Sequence, residues 1–370
     1  MDHIAQIAGK LADHQLDAML LASQAGERYA VGFHGEGLVL VTREGAHYST
    51  DSRYIEAARQ EVQGAQVELV TRERGHLALA AGYLQEHGLK RVGFEDEEMS
   101  VAQFSQVEKA LSCQLIPAQG LLSSLRASKD KEELAAMRRA QEITDQAYRE
   151  ILSYIRPGMT ENQVAARLVY ELLRRGGERV SFDPIVAAGA NGSKPHAVPG
   201  DTVIQPGMFV TMDFGCLYHG YCSDMTRTIA LGYVSEKMDK VYHTVLAAQL
   251  AGIAATKAGV AGREMDAAAR NVINAAGFEG LFGHSYGHSL GLLIHEGPYA
   301  NTRNDKPMPA GAVVSAEPGI YIPDEFGVRI EDVTVITETG CEILTKSPNS
   351  SAQGSFRFSI RPEFIRPTAL

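Results

Sequence analysis

The chain has 370 residues, enough for two domains of ordinary size, each with its own core. With 45% hydrophobic and 22% charged residues it reads as a globular protein, and a formal net charge of -10 with a pI near 5.7 excludes nucleic acid and anionic membrane as main partners. A small neutral or cationic ligand suits that balance.

The opening stretch, MDHIAQIAGKLADHQLDAMLLASQ, carries polar residues every few positions and lacks the apolar run of a signal peptide, and no later segment reaches 18 consecutive apolar residues. The expected location is the cytoplasm, with no membrane contact. Cys113, Cys216, Cys222 and Cys341 show no C-x-x-C spacing, so neither a disulfide framework nor a structural zinc site is indicated.

From residue 1 to 126, helix-like and strand-like pieces alternate: DAMLLAS, LVLVTREGAHYST, the helical SRYIEAARQEV, then AQVELV. This predicts an α/β domain without a catalytic cluster. A long helix is expected to begin at Ser128 as N-cap, with Asp130, Glu132 and Glu133 in the first turn, where the helix dipole favours negative charge. Leu134, Met137, Ile143, Ala147, Ile151 and Ile155 give it an apolar stripe, and Pro157-Gly158 ends it.

The second domain, 127–348, contains a faint internal repeat. RPGMTENQVAARLVYELLRRGG (156–177) and KAGVAGREMDAAARNVINAAGF (257–278) align without gaps, each a basic-x-Gly turn followed by a helix that stops at glycine. Thr160 and Gln163 form a capping-box pattern in the first copy. The likeness resumes downstream: GMFVTMDFG (207–215) matches GAVVSAEPG (311–319), setting Asp213 against Glu317, and Asp224 in YCSDMTRTIAL falls against Glu331 in GVRIEDVTVIT. Two similar αβ halves about an approximate twofold axis would bring four acids to one place. The stretch TMDFGCLYHGYCSDMTRT reads as a hairpin, and a turn centred on Tyr218 and His219 would set Asp213 directly opposite Asp224, where like charges destabilise a strand pair.

Four carboxylates in a partly buried site cannot all ionise without a cation, because desolvation and repulsion raise their pKa values. A divalent metal resolves the conflict. The nitrogen donor is sought in HSYGHSLGLLIHEGP (284–298), where Gly287 and Gly291 argue against a helix presenting two ligands; one of His284, His288 and His295 as ligand and another as a nearby proton donor is the better reading. His196, in NGSKPHAVPGD, is a weaker candidate for the site.

The ordered set DFG, SDMTRT, GHSLGLLIHE, EPGIY and RIED resembles the pita-bread metallopeptidases, the group holding methionine aminopeptidase, aminopeptidase P and prolidase. GERYAVGF and DSRYIEAARQ look like the creatinase-type domain that precedes the catalytic half in proline-directed members. The fold implied is an α/β creatinase-like domain at 1–126 followed by an α+β pita-bread catalytic domain at 127–348 with internal pseudo-twofold symmetry. The resemblance implies Asp213 on one metal, Asp224 and Glu331 bridging two, and His288 with Glu317 on the second, the ions sharing an activated water. It further implies Glu317 as general base, His295 stabilising the oxyanion, His196 at the scissile peptide or leaving group, and Arg329 with Tyr321 behind the ligands, orienting Asp213.

One departure is visible: Ser289 stands where the family commonly has glycine, and it is expected to narrow the pocket without removing a metal contact. One nitrogen among many oxygens suits manganese or cobalt, with zinc or iron as alternatives. The implied activity is removal of an N-terminal residue from a peptide with proline second, as an Xaa-Pro aminopeptidase, with the Xaa-Pro dipeptidase (prolidase) as the alternative. A metal-free creatinase-type amidinohydrolase and a non-catalytic binding protein on the same fold are the rivals, and five filled ligand positions speak against both. The resemblance also implies a homodimer in which the N-terminal domain of one chain reaches toward the other chain's site; the loop Phe33-His34-Gly35-Glu36 is the candidate for that contact, with a plain strand connection as the alternative. The tail from 349 to 370 reads as a disordered extension or a cloning artefact, from its Ser, Gln and Pro content.

Overall fold

The computed structural model describes residues 2–349; the expectation for the tail lies, but for Asn349, outside the described residues. The chain divides between Arg126 and Ala127 into two compact units.

The first unit runs α1 (His3–Leu11), β1 (Ala18–Leu21), α2 (Gln24–Val31), β2 (Leu38–Thr42), β3 (Ala46–Thr50), α3 (Ile55–Glu61), β4 (Ala65–Leu69), α4 (His76–Glu86), β5 (Arg91–Phe94), α5 (Val101–Ala110), β6 (Gln114–Pro117) and α6 (Leu121–Arg126). Its strands form one mixed sheet in the order β4-β3-β2-β1-β5-β6. The central β1 and β2 are buried at every position, as continuous apolar runs covered on both faces should be. Buried Glu27 accepts from the backbone N–H groups of Gly35 and Gly37, from the Tyr48 hydroxyl, and lies 2.7 Å from His34 Nδ1, so the 33–37 loop is held from beneath.

The second unit begins with α7 (Lys131–Tyr154) and α8 (Glu161–Arg174), followed by β7 (Arg179–Val180), β8 (Ile185–Ala188), β9 (Phe209–Asp213), β10 (Cys216–Tyr218), β11 (Tyr221–Cys222) and β12 (Thr226–Ala230). Then come α9 (Glu236–Ala255), α10 (Gly262–Ala275), β13 (Gly287–Ser289), β14 (Glu296–Ala300), β15 (Val313–Ala316), β16 (Gly319–Ile322), β17 (Phe326–Arg329), β18 (Asp332–Ile336) and β19 (Cys341–Ile343). The N-cap of α7 is Asp130, not Ser128: the Asp130 carboxylate accepts from Glu132 N and Glu133 N in a capping box. Ser128 is diverted, its hydroxyl donating to Ala310 O while Lys129 N donates to Gly311 O. The helix also stops earlier than expected, at Tyr154, before Pro157. The Thr160–Gln163 capping box at the start of α8 forms as read.

Two cores reflect two halves. Ile143, Ile151, Val164 and Leu168 of α7 and α8 pack with Val210, Met212 and Ile229, and Val241, Val245, Met265 and Ile273 of α9 and α10 pack with Val314, Ile320 and Val328. Each fully buried aliphatic side chain contributes on the order of 2 kcal/mol. Each half carries one long hairpin that is interrupted midway. In the first, β9 pairs with β12 and β10 with β11 in one unbroken register; in the second, β15 pairs with β18 and β16 with β17 likewise. The acids lie at the interruptions.

The first hairpin differs from expectation in its register. Its turn is centred on His219 and Gly220, with φ of 49° and 78°, the left-handed pair that a two-residue hairpin turn demands and that glycine supplies at least cost. Asp213 therefore faces Thr226, and Asp224 falls opposite Gly215 rather than opposite Asp213. The two acids stand diagonally, two residues apart along one face, because side chains on a strand repeat with period two. Gly215 is obligatory there: a Cβ would lie 2.0 Å from Ser223 O.

Candidate metal centre

In the second hairpin the register carries Glu317 opposite Glu331, just beyond the ends of β15 and β18. His288, in the middle of β13, presents Nε2 at 3.3 Å from Glu317 Oε1 and 3.7 Å from Asp224 Oδ2. Donor atoms of Asp224, His288 and Glu331 all lie within 4.8 Å of one another. Asp213 joins from the end of β9, held by Arg329 Nη2, which donates to its Oδ2 at 2.6 Å. The structure thus brings together Asp213, Asp224, His288, Glu317 and Glu331 in one cavity of about 500 Å³, which His196, His284, His295 and Arg329 also line.

Arg329 spends its fork on alignment. Nε donates to Thr226 Oγ1, and Nη1 to the Tyr321 hydroxyl at 2.8 Å and to Pro195 O. Thr226 Oγ1 in turn donates to Glu331 Oε2 at 2.7 Å, so one guanidinium orients acids from both hairpins. Behind Tyr321 stands His284, which sequence reasoning left without a role. Its Nε2 lies 2.8 Å from the Tyr321 hydroxyl and its Nδ1 2.9 Å from Ser285 O, a pattern that places the ring proton on Nδ1. Burial and the neighbouring Arg329 push its pKa down to about 3, so the ring stays neutral and its Nε2 accepts a hydrogen bond from the Tyr321 hydroxyl.

The electrostatics follow from burial. Desolvation, then the charges of Glu331 and Asp213, hold the Asp224 carboxyl well above the usual carboxylate range, and desolvation with repulsion from Glu317 and Asp213 does the same to Glu331. Glu317 is pushed up to about 7 by burial, with Arg329 opposing. Burial pushes His288 and His295 down, and their rings meet edge to face with centroids 4.4 Å apart.

Three oxygens decide whether a cation fits. Asp213 Oδ1, Asp224 Oδ1 and Glu331 Oε1 are buried with no hydrogen-bond partner among the described residues. Buried carboxylate oxygens left in that state cost free energy unless something binds them, and hard oxygen donors beside one imidazole are what a divalent ion takes. The residues fit a metal pair.

His196 sits on the loop between β8 and β9, and Glu161, at the first turn of α8, closes that loop. Its carboxylate accepts from Ala188 N, Asn191 Nδ2 and Gly200 N. No local pattern could have revealed this, since the partners lie 27 to 39 residues away. Ser289 does not narrow the cavity as expected. Its side chain is fully buried and turns away from the lining, donating to Val313 O at 2.7 Å.

Comparison with known proteins accords with this geometry. Residues 135–338 match the model of metallopeptidase family M24, and residues 3–128 match the creatinase/prolidase N-terminal domain. The chain is 39% identical to an uncharacterised peptidase of Bacillus subtilis over 94% of its own length and 98% of the relative's. Among solved structures it is similar to an Xaa-Pro dipeptidase from Bacillus anthracis (TM-score 0.91, 39% identity, 95% of this chain and 98% of that one). It is also similar to an X-Pro aminopeptidase from Thermotoga maritima (TM-score 0.86, 36% identity, 91% and 97%). With a creatinase/prolidase N-terminal domain ahead of a pita-bread catalytic domain, the chain belongs to metallopeptidase family M24.

Proposed function

We propose that the protein is an Xaa-Pro aminopeptidase, releasing the N-terminal residue from peptides with proline in second position. When bound, two divalent ions, manganese or cobalt by the oxygen-rich donor set, supply an activated water and polarise the scissile carbonyl. Asp213, Asp224, His288, Glu317 and Glu331 would hold them. Glu317 takes the proton from the attacking water and passes it toward the prolyl nitrogen, His295 donates to the developing oxyanion, and His196 contacts the leaving group. An acid-rich cavity with Asp183 at its lining suits the ammonium of a free N-terminus. A bond before proline has no N–H to offer, and a site that works through the carbonyl does not need one.

The observation that favours an aminopeptidase over a dipeptidase is the state of the cations. Arg329 is the one lysine or arginine among the described residues lining the cavity, and its donors are already engaged by Asp213, Tyr321, Thr226 and Pro195. Among the described lining residues no guanidinium or ammonium is left to receive the carboxylate of a dipeptide, whereas a tripeptide moves that charge one residue outward. The test strips the protein with a chelator, restores single metals and assays Ala-Pro against Ala-Pro-Ala. The tripeptide should be cleaved with at least a tenfold higher kcat/KM; a preference for the dipeptide would reverse the assignment, and activity surviving complete stripping would end the metal-dependent reading.

A further inference from the structure

We propose that Lys129 is a positioning residue for the histidine arm of the metal centre. Its side chain is 1% exposed, and its ammonium donates to Glu296 Oε1 at 2.9 Å and to Ser289 Oγ at 3.1 Å. Ser289 follows His288, and Glu296 follows His295. These two residues are register partners of β13 and β14 just beyond the irregularity between His288 and Ser289, so one ammonium staples the two strands at the residues next to both histidines.

Lys129 is itself fixed. Its backbone N–H donates to Gly311 O, and it immediately precedes Asp130, the N-cap of α7. The intervening loop is shaped around the staple: a Cβ on Gly291 would lie 2.5 Å from Glu296 Oε1 and 3.1 Å from Lys129 Cε, and Gly291 O accepts from Cys222 N, two residues before Asp224. Serine at 289, where a glycine was expected, supplies the hydroxyl through which Lys129 reaches the strand of His288, whose Nδ1 in turn lies 3.1 Å from Ser289 O.

This rests on the reading that His288 binds metal, and the test separates the two. Manganese is titrated calorimetrically into the stripped full-length protein and into Lys129→Met, which keeps the volume of the stem and removes the ammonium. Loss of a positive charge near a dication site should tighten metal binding if charge alone mattered. Loss of positioning should weaken it, by about 10–100-fold, as for other groups that orient a ligand. Unchanged or tighter binding by Lys129→Met overturns the proposal. If that variant does not fold, Ser289→Ala, which keeps the Lys129–Glu296 pair, should bind manganese at least threefold more weakly, and unchanged affinity overturns the proposal. A native protein that takes up neither manganese nor cobalt would instead strike the metal reading itself.

Discussion

Loading metal onto the stripped protein should expel protons, and the number expelled should fall as pH rises. A carboxylate must be ionised to bind a cation, and burial holds three of the acids protonated beyond their ordinary range. With a pKa of about 7, Glu317 is protonated in about nine-tenths of molecules at pH 6 and about one-tenth at pH 8, so its share of the release drops by about 0.8 proton over that interval. Asp224 and Glu331 add to the release. His288, pushed below its ordinary value by burial, adds less than a free imidazole would. Titration calorimetry in two buffers of different ionisation enthalpy counts the protons directly. A release below about half a proton at pH 6, or one that grows toward pH 8, would refute the reasoning.

The same shifts govern stability. An acid whose folded pKa is raised gives a contribution that is complete below its ordinary value, 4.5 for Glu317, and lost as pH rises through about 7, which amounts to roughly 3 kcal/mol for this group alone. His284, depressed to about 3, runs the other way between about 3 and its ordinary 6.5. Since His284 is neutral with or without metal near neutral pH, the difference in Tm between loaded and stripped protein isolates the carboxylates. That difference should widen from pH 5 to pH 8.

Two further perturbations follow from particular contacts. Glu331→Gln removes one of the mutually repelling buried acids, so the stripped variant should melt higher than the native stripped protein at pH 8, while its Tm should gain little on adding manganese; thermal melts of both with and without metal check this. Gly215→Ala places a methyl where Ser223 O stands 2.0 Å away, and the backbone must part at the position opposite Asp224. A loss of at least ~2 kcal/mol in urea unfolding is expected, with weakened metal uptake.

What the sequence made legible was local or periodic. The alternation of the first unit, the Thr160 capping box and the matching acids of the two halves all rest on patterns within a few residues or on a resemblance between segments. Helix capping at Ser128 failed because Ala310, 182 residues away, takes the serine hydroxyl, and Asp130 is the better acceptor for two N–H groups. The Lys129 staple and the Glu161 clamp are likewise made by partners remote in sequence, and no spacing rule reaches them. Ser289 was visible as a departure, but the direction of its side chain depends on which strand face is buried.

The register of the first hairpin shows why the convergence of acids survived an error in their pairing. Moving the turn centre from Tyr218-His219 to His219-Gly220 shifts each residue's partner by two positions. A shift by one would have sent Asp224 to the opposite face, away from Asp213, since strand side chains alternate. A shift by two preserves the face and changes only the distance, turning a direct opposition into a diagonal. The vacated place opposite Asp224 then falls to Gly215, and that opposite Asp213 to Thr226, whose hydroxyl links Arg329 to Glu331. The slip that the left-handed turn imposes is thus what brings a hydroxyl between the two hairpins, and through it the arginine that holds Asp213 directly also orients Glu331.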